Sequence, residues 1–302
     1  MTIRTITLEE VQQMLAAGEN VILLDIHPGE FFAEEHIPGA RNACVYEVTF
    51  LDQIRAITTD LDRPIIVYGS SSRSLASARA VEKLAAAGYR NLYDFAGGLD
   101  EWNGAGCPLE RHPEQAVAIP VFRDATYVID VEQSALYWVG RSLAGRHSGR
   151  IDLAGGELRL AQGTIVTGSL TIAMETIKNL DLVDPAYNAL LISHLKSDDF
   201  FHVSRFPTAA FEFTADTPIP DATPGTPNHQ VSGMLTIKGI SMPVVFPALI
   251  APRADGGISA QAHFDIDRTQ WGVLYGSGKL FEKLGIHLVN DIITLELQLV
   301  AF

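Results

Sequence analysis

The period of the hydrophobic pattern changes once along these 302 residues, and this change limits the fold more than any other feature. Up to about residue 112, short apolar runs such as Val21–Asp25 and Ile65–Tyr68 alternate with helix-forming stretches, which predicts a mostly parallel α/β sheet. Later, apolar and polar residues alternate, as in Ile258–Ile266, which predicts half-buried antiparallel strands curled into a barrel or sandwich. We predict an α/β domain at 1–112, a linker at 113–122 and a β-barrel domain with one helix at 123–302.

Capping residues place two helices within these domains. The first is predicted to begin at Thr7, with a glutamate three positions on, and to end at Gly18. The helix of the second domain is predicted to begin at Asp184, which a proline follows, and to run to about Lys196. The segment Thr217–His229 is rich in proline, threonine and aspartate and is predicted to be a long surface loop.

The charge and cysteine content exclude several classes of function. A formal net charge of −14 without a basic run argues against a nucleic-acid partner, because phosphate binding needs basic patches. The two cysteines, Cys44 and Cys107, form neither a zinc pattern nor a disulfide framework, and we expect no metal and no cofactor. The absence of a long apolar run predicts no stable membrane insertion and a cytoplasmic location, with the periplasm as the alternative if a signal peptide has been removed.

Three motifs in the first domain resemble the rhodanese family. They are the aspartate after the second strand (Asp25), the turn His36–Ala40, and the segment from Gly97–Gly98 to Trp102. Their order along the chain makes the resemblance strong for the fold. In active members of this family, a cysteine directly after the strand Ile65–Tyr68 carries sulfane sulfur as a persulfide. The resemblance implies that loop amides and the following helix N-terminus stabilise this group.

Gly69 stands at the position of that cysteine, and a glycine has no side chain to hold sulfur. The domain then has three interpretations. It is a catalytically silent pseudoenzyme, or it keeps an anion-binding loop, or Cys44 replaces the missing nucleophile in a sulfurtransferase. The loop residues that would hold a small anion are Gly69, Ser70, Ser71, Ser72, Arg73 and Ser74. The alternative for Cys44 is a small buried residue, and Cys107 is expected to serve only in packing.

Five blocks in the second domain resemble the YceI family of lipid-binding proteins. They read YVIDVEQSALYWVGRS, HLKSDDFFHVSRFPTAAFEF, VSGMLTIKGISMPVVFP, FDIDRTQWGVLYGSGKLFEKLG and ITLELQLV. The resemblance implies a lipocalin-like antiparallel β-barrel with a helix over part of it, and a long isoprenoid or other amphiphilic chain as the ligand. It also implies a periplasmic location, which the missing signal does not match.

The alternation of residues identifies candidates for the ligand-binding interior of the barrel, because an eight-stranded barrel has just enough room for one elongated ligand. Aromatic residues in loops or at strand ends are candidates for its mouth. Together the candidates are Ile172, Met174, Phe200, Phe201, Phe211, Phe213, Leu235, Ile237, Phe264, Trp271, Tyr275, Leu295 and Leu297. The alternative for each is a residue that simply fills a closed core.

Polar residues near the predicted mouth could contact a head group, and His194, Lys196, Arg268 and Lys279 are the candidates. A metal held by histidines 147, 194 and 202 with Asp198 is an alternative that no short ligand spacing supports.

We therefore expect a lipid-like small molecule in the barrel, and a silent rhodanese-like domain that serves as an interaction or anion-binding module. The alternatives are a sulfurtransferase that uses Cys44 and a stress-linked scaffold in which neither domain binds a ligand tightly.

Overall fold

A computed structural model describes residues 2–17, 20–112, 120–143 and 145–302. The chain forms two compact units, residues 1–118 and 119–302. The end of the first helix at Gly18 and most of the linker 113–122 lie outside the described residues, so both remain predictions.

The N-terminal unit is an α/β domain with a parallel sheet. Its sheet has the strand order β1-β6-β5-β2-β4, and β3 pairs with β7 as a small antiparallel ribbon. The elements are β1 Thr2–Thr5, α1 Leu8–Ala16, β2 Ile22–Asp25, α2 Gly29–Glu34, β3 Glu35–His36, β4 Arg41–Asn42, α3 Phe50–Ile57, β5 Ile65–Tyr68, α4 Ala76–Ala86, β6 Asn91–Phe95, α5 Gly98–Gly104 and β7 Glu110–Arg111.

The central strands of this sheet are apolar because helices cover both of their faces. Every residue of β2 and β5 is buried. One core cluster includes Ile54 of α3 and Leu84 of α4, and a second includes Val11 of α1 and Trp102 of α5. The predicted capping box of α1 is confirmed, since the Thr7 hydroxyl accepts from the Glu10 amide and the Glu10 carboxylate accepts from the Thr7 amide.

The C-terminal unit is built on an antiparallel sheet and one α-helix. The described residues form eleven strands in the order β13-β10-β9-β18-β17-β16-β15-β14-β12-β11-β8. The elements are β8 Ala125–Val128, β9 Ala135–Arg141, β10 Arg146–Ile151, β11 Leu153–Ala161, β12 Thr164–Ala173, β13 Lys178–Asn179, α6 Pro185–Lys196, β14 Thr208–Pro218, β15 His229–Ile237, β16 Ile240–Pro252, β17 Ile258–Asp267 and β18 Ile292–Ala301.

Backbone hydrogen bonds close this sheet into the predicted barrel. The Val128 amide donates to the Phe302 carbonyl over 2.6 Å, and the Phe302 amide donates to Val128 over 3.0 Å. The Asp130 amide likewise donates to Val300. The chain that begins in β8 therefore pairs with the end of β18, and the inner faces of the strands surround a common core.

Two boundaries differ from the sequence prediction. The surface loop is shorter than Thr217–His229, because the β14–β15 ladder continues until the Ile219 amide donates to the Asn228 carbonyl. The alternating pattern extends to Met174 in the sequence, but the strand ends at Ala173. Met174 begins a 3-10 turn.

Of the helices in the described residues, none combines the length and the apolar character that crossing a bilayer requires.

Candidate functional site

An apolar cavity of about 300 Å³, here called the main cavity, lies inside the barrel. Its volume is at the lower end of the range for small-molecule pockets. Strand residues from opposite sides of the barrel line it, among them Leu136 of β9, Leu235 of β15 and Leu295 of β18. Helix α6 contributes Leu191, His194 and Leu195, so this helix forms part of the wall.

A smaller cavity of about 40 Å³, here called the inner cavity, adjoins the main one. Its described lining is entirely aliphatic or phenylalanine. The two cavities share four lining residues, which are Leu136, Ile172, Leu235 and Leu295. The barrel therefore contains two neighbouring cavities, of which the inner one is lined by apolar side chains alone.

The structure brings most of the predicted interior residues together at these cavities. The main cavity is lined by Ile172, Met174, Phe200, Phe201, Leu235, Ile237, Trp271, Tyr275 and Leu295. The inner cavity adds Phe211, Phe264 and Leu297. That these residues bind a ligand remains a prediction.

Phe213 of β14 is the predicted interior residue that lines neither cavity. It is not among the lining residues of either cavity and packs against Phe211, with the ring centroids 4.8 Å apart. The register of β14 against β15 is regular from Ala210 to Phe213 and shifts only after it, so Phe213 stays on the same face as Phe211 and packs against the barrel core without lining either cavity.

Sequence reasoning missed the wall that β9 and β10 provide. Leu136, Trp138 and Gly140 line the main cavity from β9, and His147 and Ile151 line it from β10. The segment ALYWVGR is apolar at almost every position, so it shows no clear alternation. The only signal in the sequence was that Leu136, Trp138 and Gly140 follow one another at intervals of two residues.

Polar groups surround part of the main cavity. Arg268 is only 2 % exposed, and its guanidinium donates to the carbonyls of Asn290, Val273 and Val289 over 3.0, 2.7 and 3.1 Å. Burial lowers the pKa of this guanidinium, while the nearby Asp291 acts in the opposite direction. These contacts hold Arg268 in place beside the cavity as part of its wall.

His194 lies at the same part of the cavity among aromatic rings. Its imidazole packs edge-on against Phe200 and Tyr275, with centroid distances of 4.9 and 4.6 Å. Its Nε2 is 3.3 Å from the carboxylate of Asp199. Two of the four predicted head-group contacts, Arg268 and His194, therefore lie at the cavity.

The other two predicted head-group contacts are placed elsewhere. Lys196 donates to the Glu175 carbonyl over 2.6 Å, and Lys279 pairs with Asp267 at 2.7 Å. Lys196 also forms an ion pair with the Glu175 carboxylate at 3.3 Å. Neither lysine lines the main cavity, because these ion pairs hold both ammonium groups at the surface.

The histidines considered for a metal site are not brought together. His147 pairs with Asp181, with Nδ1 at 2.9 Å from the carboxylate, whereas His194 faces Asp199. Within the described ranges no group of three or more histidine, cysteine, aspartate or glutamate residues is arranged to hold a metal ion.

In the N-terminal unit, the predicted anion-binding loop lies at the carboxyl edge of the sheet. Gly69 follows β5 directly and is buried. Its carbonyl accepts from the Leu99 amide over 3.0 Å, and the Ser70 carbonyl accepts from the Asp100 amide over 2.9 Å. The first turn of α5 therefore fixes the start of this loop.

Hydrogen bonds inside the loop use several of its amides. The Ser74 amide donates to the Ser71 carbonyl over 3.0 Å, and the Arg73 amide lies 3.4 Å from the Ser71 hydroxyl oxygen. The Ala76 amide donates to the Ser74 hydroxyl over 3.2 Å. Ser72 and Arg73 are exposed. The six predicted residues thus form one compact loop, and anion binding there remains a prediction.

A buried carboxylate lies beside this loop, in register with the end of β5. Asp25 is fully buried, and its Oδ1 accepts from the His27 amide over 2.8 Å and lies 2.9 Å from His27 Nδ1. Tyr68 is its Cα partner on β5. Burial raises the pKa of Tyr68, and the charge of Asp25 raises it further, so this phenol stays protonated.

Both cysteines lie in packed surroundings. Cys44 follows β4 at the carboxyl edge of the sheet, is 4 % exposed, and its amide donates to Gln53 over 2.8 Å. Strand β2 lies between β4 and β5, so it separates Cys44 from the loop after β5. Cys107 packs against the core, and the Gln12 amide group lies 3.1 Å from its sulfur.

Comparison with known proteins gives a family to each unit. Residues 127–301 match the YceI-like domain, and residues 7–105 match the rhodanese-like domain. The thiosulfate sulfurtransferase GlpE of Actinobacillus succinogenes is 36% identical over 114 residues, which are 36% of this chain and 93% of that protein. GlpE of Haemophilus influenzae strain 86-028NP is 31% identical over 113 residues, covering 36% of this chain and 97% of that protein.

Two solved structures align with 58% of the chain. BcnA of Burkholderia cenocepacia is 22% identical, with a TM-score of 0.45 and 99% of that chain covered. A polyisoprenoid binding domain from Saccharophagus degradans, implicated in plant cell wall breakdown, is 14% identical, with a TM-score of 0.44 and 97% of that chain covered. With the YceI-like match extending over residues 127–301, more than half of its length, the chain belongs to the YceI-like domain family and carries a rhodanese-like domain in its N-terminal part.

Proposed function

We propose that the C-terminal unit binds one elongated hydrophobic or amphiphilic molecule inside its barrel. The observation that carries this proposal is the main cavity, lined mostly by aliphatic and aromatic side chains, with the inner cavity beside it. A lipid tail gains about 0.8 kcal/mol for each methylene that it buries, so such a space binds an apolar chain with few polar contacts. Arg268 and His194 beside the main cavity favour a molecule with a polar end.

An isoprenoid chain is one candidate, because the YceI resemblance implies it. A straight acyl chain is the other main candidate, and both would fill the same apolar space. Organic extraction of the purified full-length protein followed by mass spectrometry distinguishes them. We expect one co-purified lipid per chain, and an interior that contains no lipid and accepts none would contradict the proposal in favour of the scaffold alternative.

A variant that fills the cavity provides the matched test. Ile172 lines both cavities, so Ile172→Trp places an indole in the space that the ligand would occupy. Val166 lies on the same strand and is 53 % exposed, so Val166→Trp adds the same side chain outside the interior. We expect Ile172→Trp to lose at least tenfold in affinity for a fluorescent lipid probe, while Val166→Trp binds as the wild type does. Equal binding by both variants would place the ligand elsewhere.

For the N-terminal unit we propose a catalytically silent rhodanese-like domain that serves as an interaction or anion-binding module. Gly69 supports the silence, because no nucleophile occupies the position at which the family carries its cysteine. The burial of Cys44 and its separation from the loop by β2 weigh against the displaced-cysteine alternative.

A thiosulfate sulfurtransferase assay of the full-length protein tests this second proposal. We expect no turnover above that of the Cys44→Ala variant. Turnover in the wild type that disappears in Cys44→Ala would show that Cys44 carries sulfur and that the domain is an enzyme.

A further inference from the structure

Four buried aliphatic side chains lie between the main cavity and the inner cavity. They come from strands β9, β12, β15 and β18, each is at most 8 % exposed, and each lines both cavities: Leu136, Ile172, Leu235 and Leu295. A residue that lines two neighbouring cavities lies at the boundary between them. These four side chains therefore form a layer across the barrel, here called the waist.

The order of the lining residues along single strands shows that the waist is one level of the barrel. On β18, Ile293 lines the main cavity, Leu295 lines both cavities, and Leu297 lines the inner cavity. On β14, which lies between β12 and β15, Ala209 lines the main cavity and Phe211 lines the inner one. Residues on one face of a strand are two positions apart, so the change from one cavity to the other takes place within one layer of side chains.

On the far side of the waist, three phenylalanines pack together around the inner cavity. The rings of Phe246 and Phe264 are stacked, with centroids 4.1 Å apart and planes at 7° to each other, and the Phe211 centroid lies 5.6 Å from that of Phe246. All three line the inner cavity, which has a volume of only about 40 Å³. Because protein interiors are close-packed, a chain that crossed the waist would have to displace these rings to gain further length.

On the near side of the waist, the main cavity opens to solvent. Ile286 lines this cavity and is 76 % exposed, so the opening lies beside it. The lining of the cavity extends from Leu136 at the waist to Ser142, which forms a β-bridge with Val289. This stretch of chain spans about 20 Å at roughly 3.3 Å per residue. A tail that enters through the opening therefore has a limited depth, and the waist is its end.

We propose that the waist sets the depth to which a ligand tail enters the barrel, and that the C-terminal unit thereby selects a medium-length aliphatic chain over longer ones. This inference rests on the proposed function, because it adds a limit on chain length to the molecule that the barrel binds. The limit applies to straight and to isoprenoid chains alike, since it is set by the distance from the opening to the waist.

Displacement of a bound neutral fluorophore, N-phenyl-1-naphthylamine, by the alkan-1-ols from hexan-1-ol to hexadecan-1-ol measures this limit in the full-length protein. In the wild type, each added methylene should raise the affinity about fourfold until the tail reaches the waist. Beyond this chain length, here called the break, each further methylene should add less than twofold. This series needs no variant.

Variants at the waist show whether these side chains set the break. Leu295→Ala opens the waist from β18, and Leu136→Ala opens it from β9. In both variants we expect the fourfold gain to continue for at least two further methylenes. Leu299→Ala is the matched control, because Leu299 is on β18, is 1 % exposed and lines neither cavity. Its break should stay at the wild-type chain length. Comparing the positions of the breaks cancels any general weakening of binding.

The outcomes separate this inference from the proposed function. If the wild-type affinity rises fourfold per methylene up to hexadecan-1-ol, the tail passes the waist and the inference is wrong, but the barrel still binds lipids. A break at the same chain length in the wild type, Leu295→Ala and Leu136→Ala would also overturn it, because the solubility of the alcohols or another part of the barrel then sets the limit. So would a break that moves as far in Leu299→Ala. If no alcohol displaces the fluorophore from the wild type, both proposals fail together.

Discussion

At the scale of single residues, Gly69 occupies a position that could accommodate a larger side chain. A Cβ built there lies 3.5 Å from Ile26 Cδ1 and 4.0 Å from Ala76 Cβ, which are ordinary van der Waals distances. Gly98 is different, because it has a φ of +58° and a Cβ on it would collide with the Gly69 carbonyl. The backbone conformation at position 98 therefore requires a glycine. Position 69, where the family carries its nucleophile, does not require one.

This difference predicts that Gly69→Cys gains sulfur chemistry. The introduced thiolate would attack the outer sulfur of thiosulfate, the sulfur–sulfur bond would break with sulfite as the leaving group, and a persulfide would remain on the cysteine. We expect intact-protein mass spectrometry to show the addition of one sulfur atom after incubation with thiosulfate. Gly69→Ala is the control, because it keeps Cys44 and Cys107. A thiol at position 69 that stays unmodified would show that the loop no longer supports the reaction.

Asp94 is a second residue whose burial affects the stability of the fold. It is 9 % exposed on β6, its Oδ1 has no partner in the described part of the chain, and burial raises its pKa despite a hydrogen bond with Ser77. A raised pKa in the folded state means that the neutral carboxyl is the better-tolerated form. Stability is therefore full below the unfolded-state pKa of about 3.9 and is lost as the pH rises through the folded-state pKa.

We accordingly expect Asp94→Asn to stabilise the N-terminal unit at pH 7, because the amide carries no charge to desolvate. Urea unfolding between pH 4 and pH 8 checks this, and the advantage of the variant should grow as the pH rises. An advantage that is constant over this range would mean that the charge of Asp94 is not its cause.

At the scale of secondary-structure elements, features that depend on neighbouring residues were predicted correctly, whereas features that depend on contacts between distant segments were not. The Asp184 carboxylate accepts from the Ala186 amide over 2.8 Å, and α6 runs from Pro185 to Lys196 as predicted. Capping is a contact between neighbours in the chain, so the sequence is sufficient to predict it. The wall formed by β9 and β10 was not predicted, because its role depends on which strands face it across the barrel.

The close packing in that wall makes Gly149 a sensitive position. A Cβ on Gly149 would collide with both the Lys178 carbonyl of β13 and the Trp138 indole. We expect Gly149→Ala to destabilise the C-terminal unit by about 1–3 kcal/mol, the usual cost of overpacking, and to change the fluorescence of Trp138. Urea unfolding followed by tryptophan emission measures both effects.

Gly145 supplies the matched control for this prediction. It lies just before β10, and nothing lies within 4 Å of a Cβ built on it. Gly145→Ala should unfold within about 0.5 kcal/mol of the wild type, as a surface substitution normally does. If the two variants were equally stable, the Trp138 indole would not be held by Gly149.

At the scale of the whole molecule, each unit has hydrophobic clusters of its own. Those of the N-terminal unit form on the two faces of the parallel sheet, whereas the cluster of the C-terminal unit fills the barrel. A unit with its own core is able to unfold as a cooperative block.

We therefore expect two thermal transitions in the full-length chain, measured by scanning calorimetry. Dodecan-1-ol should raise the midpoint of only one, since a ligand stabilises the unit that binds it. Asp94→Asn at pH 7 should raise only the other. One transition that responds to both changes would mean that the units unfold together.

The sequence by itself determined the two fold classes, the order of most elements and a part of the residues that line the barrel interior. These follow from hydrophobic period, caps and motifs, which are properties of neighbouring residues. Only the tertiary structure decided that Phe213 stays outside the cavity lining, that Lys196 and Lys279 belong to surface ion pairs, and that the buried Trp138 Nε1–H meets no acceptor among the described residues. The physical reason is that burial and hydrogen-bond partners depend on segments far apart in the chain, which meet only when the sheet closes.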